Sequence, residues 1–356
     1  MTAEPDPTYT ALALQVTTPC VNGCASRTDA RALMRETIAT VGQHVLGSKA
    51  FITTFSGTEV KLVVLPEYFL TGFPMGESCA EWRDKAAIDP DGAEYEQLAA
   101  LASKAGVFLG GNVYETDANF PELFFQCCFI IDPSGNTVLR YRRLISLNTP
   151  SPYDVWDKYL DIYGMDAVFP VADTAIGRLA AIASEEILYP EIARCHAVRG
   201  AEVFIHPTSE VGSPLLTPKD IAKRARAVEN LAYVVSANTA RLTEITFPAI
   251  SSTGMSKIVD YTGKVLCEAA PGGDSMVANS TIDLGALRAT RRRTGLTNTL
   301  VRHPFEAYVE SFKQAPFKAP NMLIDGSGQV RAPDKGELHA RQQQDIDRLV
   351  GAGILR

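Results

Sequence analysis

Ile182-Ala183-Ser184-Glu185-Glu186-Ile187-Leu188-Tyr189-Pro190-Glu191 is the stretch from which the rest of the chain can be read. The apolar run Leu179–Ala183 reads as a buried strand that ends at a small hydroxyl residue and two acids. Pro190 then opens a helical pattern over Pro190–Val198, at a position where a missing N–H does no harm. A strand–turn–helix junction of this kind lifts the Ser184 hydroxyl above a sheet, close to backbone N–H groups at a helix start, as a nucleophile elbow does. The Gly-x-Ser-x-Gly spacing of an α/β-hydrolase is missing, and a serine before a helix is also simply a cap.

Outward from this junction, strand-like and helical patterns alternate. Before it come strands over Ala11–Thr17, Leu62–Leu65, Val107–Tyr114 and Phe124–Asp132, with amphipathic helices over Asp29–Val45 and Glu94–Ala105. After it come strands over Val203–His206, Tyr233–Asn238, Ser256–Asp260 and Met276–Asp283, and a helix over Pro218–Leu231. With no linker or repeat, the alternation predicts one α/β domain over residues 1–314. Residues 315–356 are Gly-, Pro- and charge-rich, with a polar helix over Glu337–Leu349. They read as an extension over the core or over a neighbouring subunit.

Two more segments place polar groups at strand ends, where loops carry function on a rigid scaffold. Leu62-Val63-Val64-Leu65-Pro66-Glu67 puts a carboxylate directly after an apolar strand; partial burial there suits general-base work, although a helix cap or loop acid has the same spacing. Pro133-Ser134-Gly135-Asn136 is a turn, and the strand after it carries Arg140, Arg142 and Arg143, which alone reads as a solvated edge strand.

Bulk properties narrow the partners. The 356 residues are 46% hydrophobic and 21% charged, with a net charge of −7, which is ordinary for a globular protein. No basic stripe suits nucleic acid, and the run Arg288 to Arg293 reads as a solvated face or subunit contact. No apolar run is long enough to cross a membrane, and the N-terminus lacks a secretory pattern, so a cytoplasmic location is expected. Seven cysteines read as free thiols in a reducing compartment. Cys20 and Cys24 lack a second pair at metal-binding spacing, so no metal is expected.

Taken together, the three polar segments resemble the nitrilase (carbon–nitrogen hydrolase) superfamily. Leu65-Pro66-Glu67 is similar to the motif around its catalytic glutamate, Tyr141-Arg142-Arg143 to the Tyr-Arg-Lys motif around its lysine, and Ser184 to Glu191 to the motif around its cysteine. Gly200-Ala201-Glu202-Val203, Arg226-Ala227-Val228-Glu229-Asn230 and Gly254-Met255-Ser256 extend the likeness, which runs from about Thr10 to Asp283. The resemblance implies a four-layer αββα sandwich, a homodimer or higher homo-oligomer, no cofactor, and hydrolysis of a non-peptide C–N bond in a small-molecule substrate. It assigns Glu67 as base, Arg143 to the lysine slot and Ser184 to the nucleophile slot.

The two departures reshape that chemistry. A hydroxyl needs strong help from an adjacent base where a thiol is already partly ionised, so nitrile attack is disfavoured and acyl transfer from an amide or ester is retained. Arginine keeps the charge and suits an oxyanion, but cannot lend a proton. Glu186, Tyr189, His206, Thr208, Asp154 and Trp156 are the candidate substrate-binding residues, with Ser209 and Glu210 beside them. The last two of the six lie in a loop expected to shape the substrate mouth. Cys195 as a displaced nucleophile and Lys158 as a substitute lysine are weaker candidates. Two other readings stay open: a catalytically silent protein that binds a small ligand or partner, and a condensation or hydration enzyme in which Arg143 clamps a carboxylate.

Overall fold

The computed structural model describes residues 7–213, 215–314 and 317–356. In chain order, the first half comprises β1 (Thr8–Ala13), β2 (Thr17–Pro19), α1 (Arg27–Ser56), β3 (Val60–Val64), α2 (Cys79–Ala86) and α3 (Ala93–Ala105). It continues with β4 (Phe108–Thr116), β5 (Phe124–Ile131), β6 (Thr137–Arg142), α4 (Trp156–Tyr163) and β7 (Ala172–Thr174). The second half begins with β8 (Gly177–Ala181), α5 (Pro190–Val198), β9 (Val203–Thr208), α6 (Pro218–Asn230), β10 (Tyr233–Asn238) and β11 (Arg241–Thr243). Then follow β12 (Lys257–Val259), β13 (Val265–Glu268), β14 (Asn279–Asp283), α7 (Leu284–Arg292), α8 (Glu306–Gln314) and α9 (Glu337–Gly351).

Two six-stranded sheets result, ordered β14-β1-β3-β4-β5-β6 and β13-β12-β10-β9-β8-β7. Each has three parallel central strands, β1-β3-β4 and β8-β9-β10, flanked by antiparallel ones. Side-chain alternation sorts the layers. On β1, Ala11 and Ala13 face the second sheet, and Leu12 and Leu14 face α1 and α3. The second sheet buries its other face under Ile192, Ala193 and Ala197 of α5 and Ala222 and Ala227 of α6. The order helix, sheet, sheet, helix is the αββα sandwich implied by the resemblance. At the sheet–sheet contact Gly110 is required for space, since a Cβ there would lie 2.8 Å from Ile205 Cδ1.

The expected strands and helices occur within a few residues of their predicted bounds, with α1 longer, at 30 residues. Three differences bear on function. The segment around Trp156, expected as a loop, is a 3-10 turn over Pro152–Val155 leading into α4. Of the basic run expected as a solvated face or subunit contact, Arg292 and Arg293 are exposed, but Arg288 pairs with Glu202 and Arg291 donates to the carbonyls of Leu231, Ala201 and Asn230. β6 is an edge strand, yet Arg142 lies 2.5 Å from Asp117 and over the ring of Phe125.

Candidate active site

The carboxyl ends of the central strands of both sheets converge on one cavity, the position at which open α/β sheets bind ligands. The two sheets are tied there by Glu67 N donating to the Thr208 carbonyl at 3.4 Å and by Thr239 Oγ1 donating to the Glu67 carbonyl at 3.4 Å. The cavity holds about 450 Å³ and is lined by Glu67, Gln126, Arg143, Ser184, Glu185, Glu210 and Lys219, with Tyr68, Phe73, Tyr114 and Phe247 as aromatic lining.

Ser184 is the third residue after β8 and opens a 3-10 turn that leads into α5. Its φ of +47° is left-handed, a conformation that costs a side-chain-bearing residue about 1–2 kcal/mol. Only surrounding contacts hold such a residue in place, and they are visible here. The Ser184 carbonyl accepts from His206 Nε2 at 2.8 Å, and His206 Nδ1 lies 2.8 Å from Ser236 Oγ. A carbonyl can only accept, so Nε2 carries the proton and Nδ1 accepts from Ser236. The Ser184 hydroxyl, on a residue only 3% exposed, lies 3.4 Å from Thr208 Oγ1, and Lys219 Nζ donates to it at 3.2 Å.

Glu67 follows β3 and is 1% exposed. Its Oε1 accepts from Gln126 Nε2 at 2.7 Å and from Arg143 Nη1 at 3.4 Å, while Gln126 Oε1 accepts from the same Nη1 at 2.9 Å. Arg143 Nε donates to the Ile145 carbonyl, and Nη2 lies 2.9 Å from Glu185. These are three hydrogen bonds and one ion pair. Burial works to lower the Arg143 pKa, but Tyr68, Glu67 and Glu185 outweigh it and hold it above its ordinary value. Arg143 is therefore a permanent cation. Among the described residues, no hydrogen bond joins Glu67 to Ser184.

Of the residues named from sequence, Glu67, Arg143, Ser184, Ser209 and Glu210 line the cavity. Glu186, Tyr189, His206, Thr208, Asp154 and Trp156 do not. Glu186 is fully buried behind Ser184, accepting from Tyr141 Oη and from the backbone N–H groups of Leu144 and Ile145. Thr208 and His206 stand behind the serine. The Tyr189 side chain is half-exposed outside the cavity. Asp154 bonds Ser151 and lies 3.7 Å from Arg341, and Trp156 packs against Tyr153. Residues Ser146 to Thr149 take the place at the mouth expected for that segment. Lys158 lies on α4 and Cys195 on α5, both away from the cavity; burial, the largest influence, raises the Cys195 thiol.

Gln126 and Lys219 are polar lining residues that were not read from sequence. Gln126 is a lone amide in the apolar run of β5, and a buried polar group in such a strand needs a partner, so a signal for it existed. Lys219 lies 35 positions beyond Ser184, in the first turn of α6, and no motif marks it. No group of three or more His, Cys, Asp or Glu side chains able to hold a metal occurs among the described residues, and none of their helices is long and apolar enough to cross a membrane.

The sequence pattern of the carbon-nitrogen hydrolase family matches residues 32–292. The chain is 25% identical to omega-amidase NIT2 of Homo sapiens over 264 residues, which is 74% of this chain and 91% of that protein. It is 28% identical to nitrilase homolog 2 of Dictyostelium discoideum over 234 residues, 65% of this chain and 67% of that protein. Its fold is similar to that of a carbon-nitrogen hydrolase from Helicobacter pylori G27, with a TM-score of 0.64 and 19% identity over 86% of this chain and 99% of the other. With the family pattern covering well over half of its length, this chain belongs to the carbon-nitrogen hydrolase family.

Proposed function

We propose that this protein cleaves a small non-peptide amide, or an ester of similar size, by acyl transfer to Ser184. The observation that carries the reading is the position of Ser184: a left-handed residue at a strand end, its hydroxyl in a cavity beside a buried carboxylate and a guanidinium. An elbow of that kind aims a nucleophile into a pocket, and Arg143, a fixed cation lining the same cavity, suits the charge that develops on an oxyanion. The omega-amidase name of a relative supports an amide substrate, and a serine in the nucleophile slot disfavours a nitrile. Glu67 keeps Arg143 and Gln126 in register and is the base assigned from sequence. A catalytically silent site is the second reading, supported by the missing hydrogen bond between Glu67 and Ser184.

Intact-protein mass spectrometry with a panel of small activated amides and esters separates the two. The expected result is a single acyl adduct on the wild type that is absent from Ser184→Ala. An adduct on Ser184→Cys alone would show a pocket that binds and orients substrates but does not use its serine, and the proposal would fall.

A further inference from the structure

A serine nucleophile needs a proton acceptor in contact with its oxygen, and the cavity holds two candidates. Glu67 is the one that sequence suggests, but its Oε1 already accepts from Gln126 and Arg143. The side-chain groups bonded to Ser184 Oγ are Thr208 and Lys219. Thr208 donates its own hydrogen to Glu210 Oε1 at 3.2 Å, so it offers Ser184 a lone pair and no base.

The geometry points to Lys219 as the catalytic proton acceptor for Ser184, making the site a serine–lysine pair. The inference rests on the reading of Ser184 as nucleophile. Lysine differs here from the other cations of the site. Arg143 cannot give up its charge, whereas an amine Nζ takes a proton from a hydroxyl and returns it. Serine–lysine pairs catalyse acyl transfer on unrelated folds, recognised by contact and role and not by sequence position.

Lys219 is also the lysine of this cluster without an ion pair to a carboxylate among the described residues. Lys223, one turn further along α6, lies 2.6 Å from Glu210, and Lys257 lies 2.7 Å from Asp220. Glu210 keeps its charge: burial would raise its pKa, but Lys223 and Lys219 lower it. The charged and titratable groups around Nζ are His206 on β9 and Glu210 just after it, Asp220 and Lys223 on α6, and Glu67, Tyr68, Tyr114, Arg143 and Glu185 across the cavity.

The acylation step balances through this pair. In the resting site Lys219 Nζ donates to Oγ. After giving one proton to solvent, it takes the Ser184 hydroxyl proton as Oγ bonds to the substrate carbonyl carbon, and the C=O electron pair moves to oxygen. Collapse reforms the C=O bond and breaks C–N. The Lys219 ammonium gives its proton to the leaving nitrogen, which departs as ammonia or an amine. Lys219 is then neutral again, and a water molecule repeats the cycle with Oγ as leaving group.

The test is the rate of acyl-Ser184 formation from p-nitrophenyl acetate, followed by intact mass across a pH series, with circular dichroism to check that each variant folds. Lys219→Ala should slow acylation by about 10²–10⁴-fold and remove the rise in rate with pH that follows loss of the ammonium proton. Lys219→Arg should be as slow, since a guanidinium keeps the charge and accepts no proton. Added methylamine should restore part of the Lys219→Ala rate. In a Ser184→Cys background, Lys219→Ala should cost less than about tenfold, because a thiol ionises with less help. Wild-type rates in Lys219→Arg, or equal losses in the serine and cysteine backgrounds, would overturn the assignment and leave Lys219 a fixed charge or a structural prop. A wild type that takes no adduct would overturn the nucleophile reading itself, and the pair with it.

Discussion

Glu186 lies two residues from Ser184, the proposed nucleophile, yet it holds the wall of the site together. Its carboxylate takes hydrogen bonds from Tyr141 Oη at 2.7 Å, Leu144 N at 2.8 Å and Ile145 N at 2.9 Å. It thereby fastens the segment after β6, which carries Arg143, to the turn that carries Ser184. Burial pushes its pKa up to about 7, against the pull of Arg143 and these donors. A carboxyl raised above its ordinary value of 4.5 keeps a proton in the fold that the unfolded chain releases. That contribution is complete below about pH 4.5 and is lost as pH rises through about 7, roughly 3 kcal/mol in all. Glutamine mimics the protonated acid. Urea denaturation from pH 5 to 8 should therefore show wild type losing stability relative to Glu186→Gln as pH rises; a difference that stays constant would refute it. The sequence shows the acid at this position but not which way it points. That direction comes from the 3-10 turn over Ser184–Leu188, which sends Glu185 into the cavity and Glu186 behind it.

At the scale of elements, β9 is the strand on which the site is built. His206 and Thr208 lie on one face of it, two residues apart, and both reach Ser184. The His206 bond to the Ser184 carbonyl requires a neutral ring with its proton on Nε2, and burial supplies that by pushing the pKa down to about 3. A base depressed in the fold contributes stability that is fully present above about pH 6.5 and is lost as pH falls towards 3. By pH 5 the loss from His206 is about 2 kcal/mol. His196, also down to about 3 through burial, adds to the same acid limb. Replacing His206 by glutamine should flatten the fall in unfolding free energy between pH 6.5 and 5, although the variant is less stable at pH 7; an unchanged slope would show that the ring is not the group responsible.

The same element shows what was legible. The apolar runs of β8, β9 and β10, and helices such as α5 and α6 with Pro at their starts, are set by local pattern. α2 and α4 are short, and their sequences become helical through what they pack on, Trp82 and Tyr159 being buried. Lys219 was out of reach for a related reason. Its contact with Ser184 depends on α6 beginning beside β8 and β9, which is a property of sheet order and not of spacing.

For the whole molecule, the question is what the C-terminal segment contributes. Leu323 is fully buried with Phe120, Phe125, Val155 and Tyr159, residues of the β4–β5 connection and of the α4 region. Around it, Leu323 N donates to the Asp154 carbonyl, Asn321 Oδ1 accepts from Asp157 N, and Arg341 Nη2 donates to the Met322 carbonyl at 2.7 Å. Asp154 in turn caps Ser151, which ends the segment whose residues Ser146 to Thr149 line the cavity. The tail is thus linked to the site through one carboxylate and one turn. Leu323→Ala removes a buried side chain from an aromatic cluster, at a cost of about 2–5 kcal/mol. If the tail is part of the domain's single cooperative unit, that loss should appear as a lower midpoint of global unfolding with an unchanged denaturant slope. A tail that docks independently would be clipped by protease at denaturant concentrations where the sandwich is still folded. Substrate kinetics give a second readout. A loosened Ser146–Thr149 segment should raise KM more than it lowers kcat, since Ser184, Lys219 and Arg143 are held by β9, α6 and Glu186 and not by the tail. Equal loss in both parameters would instead place the tail's influence on the reacting groups.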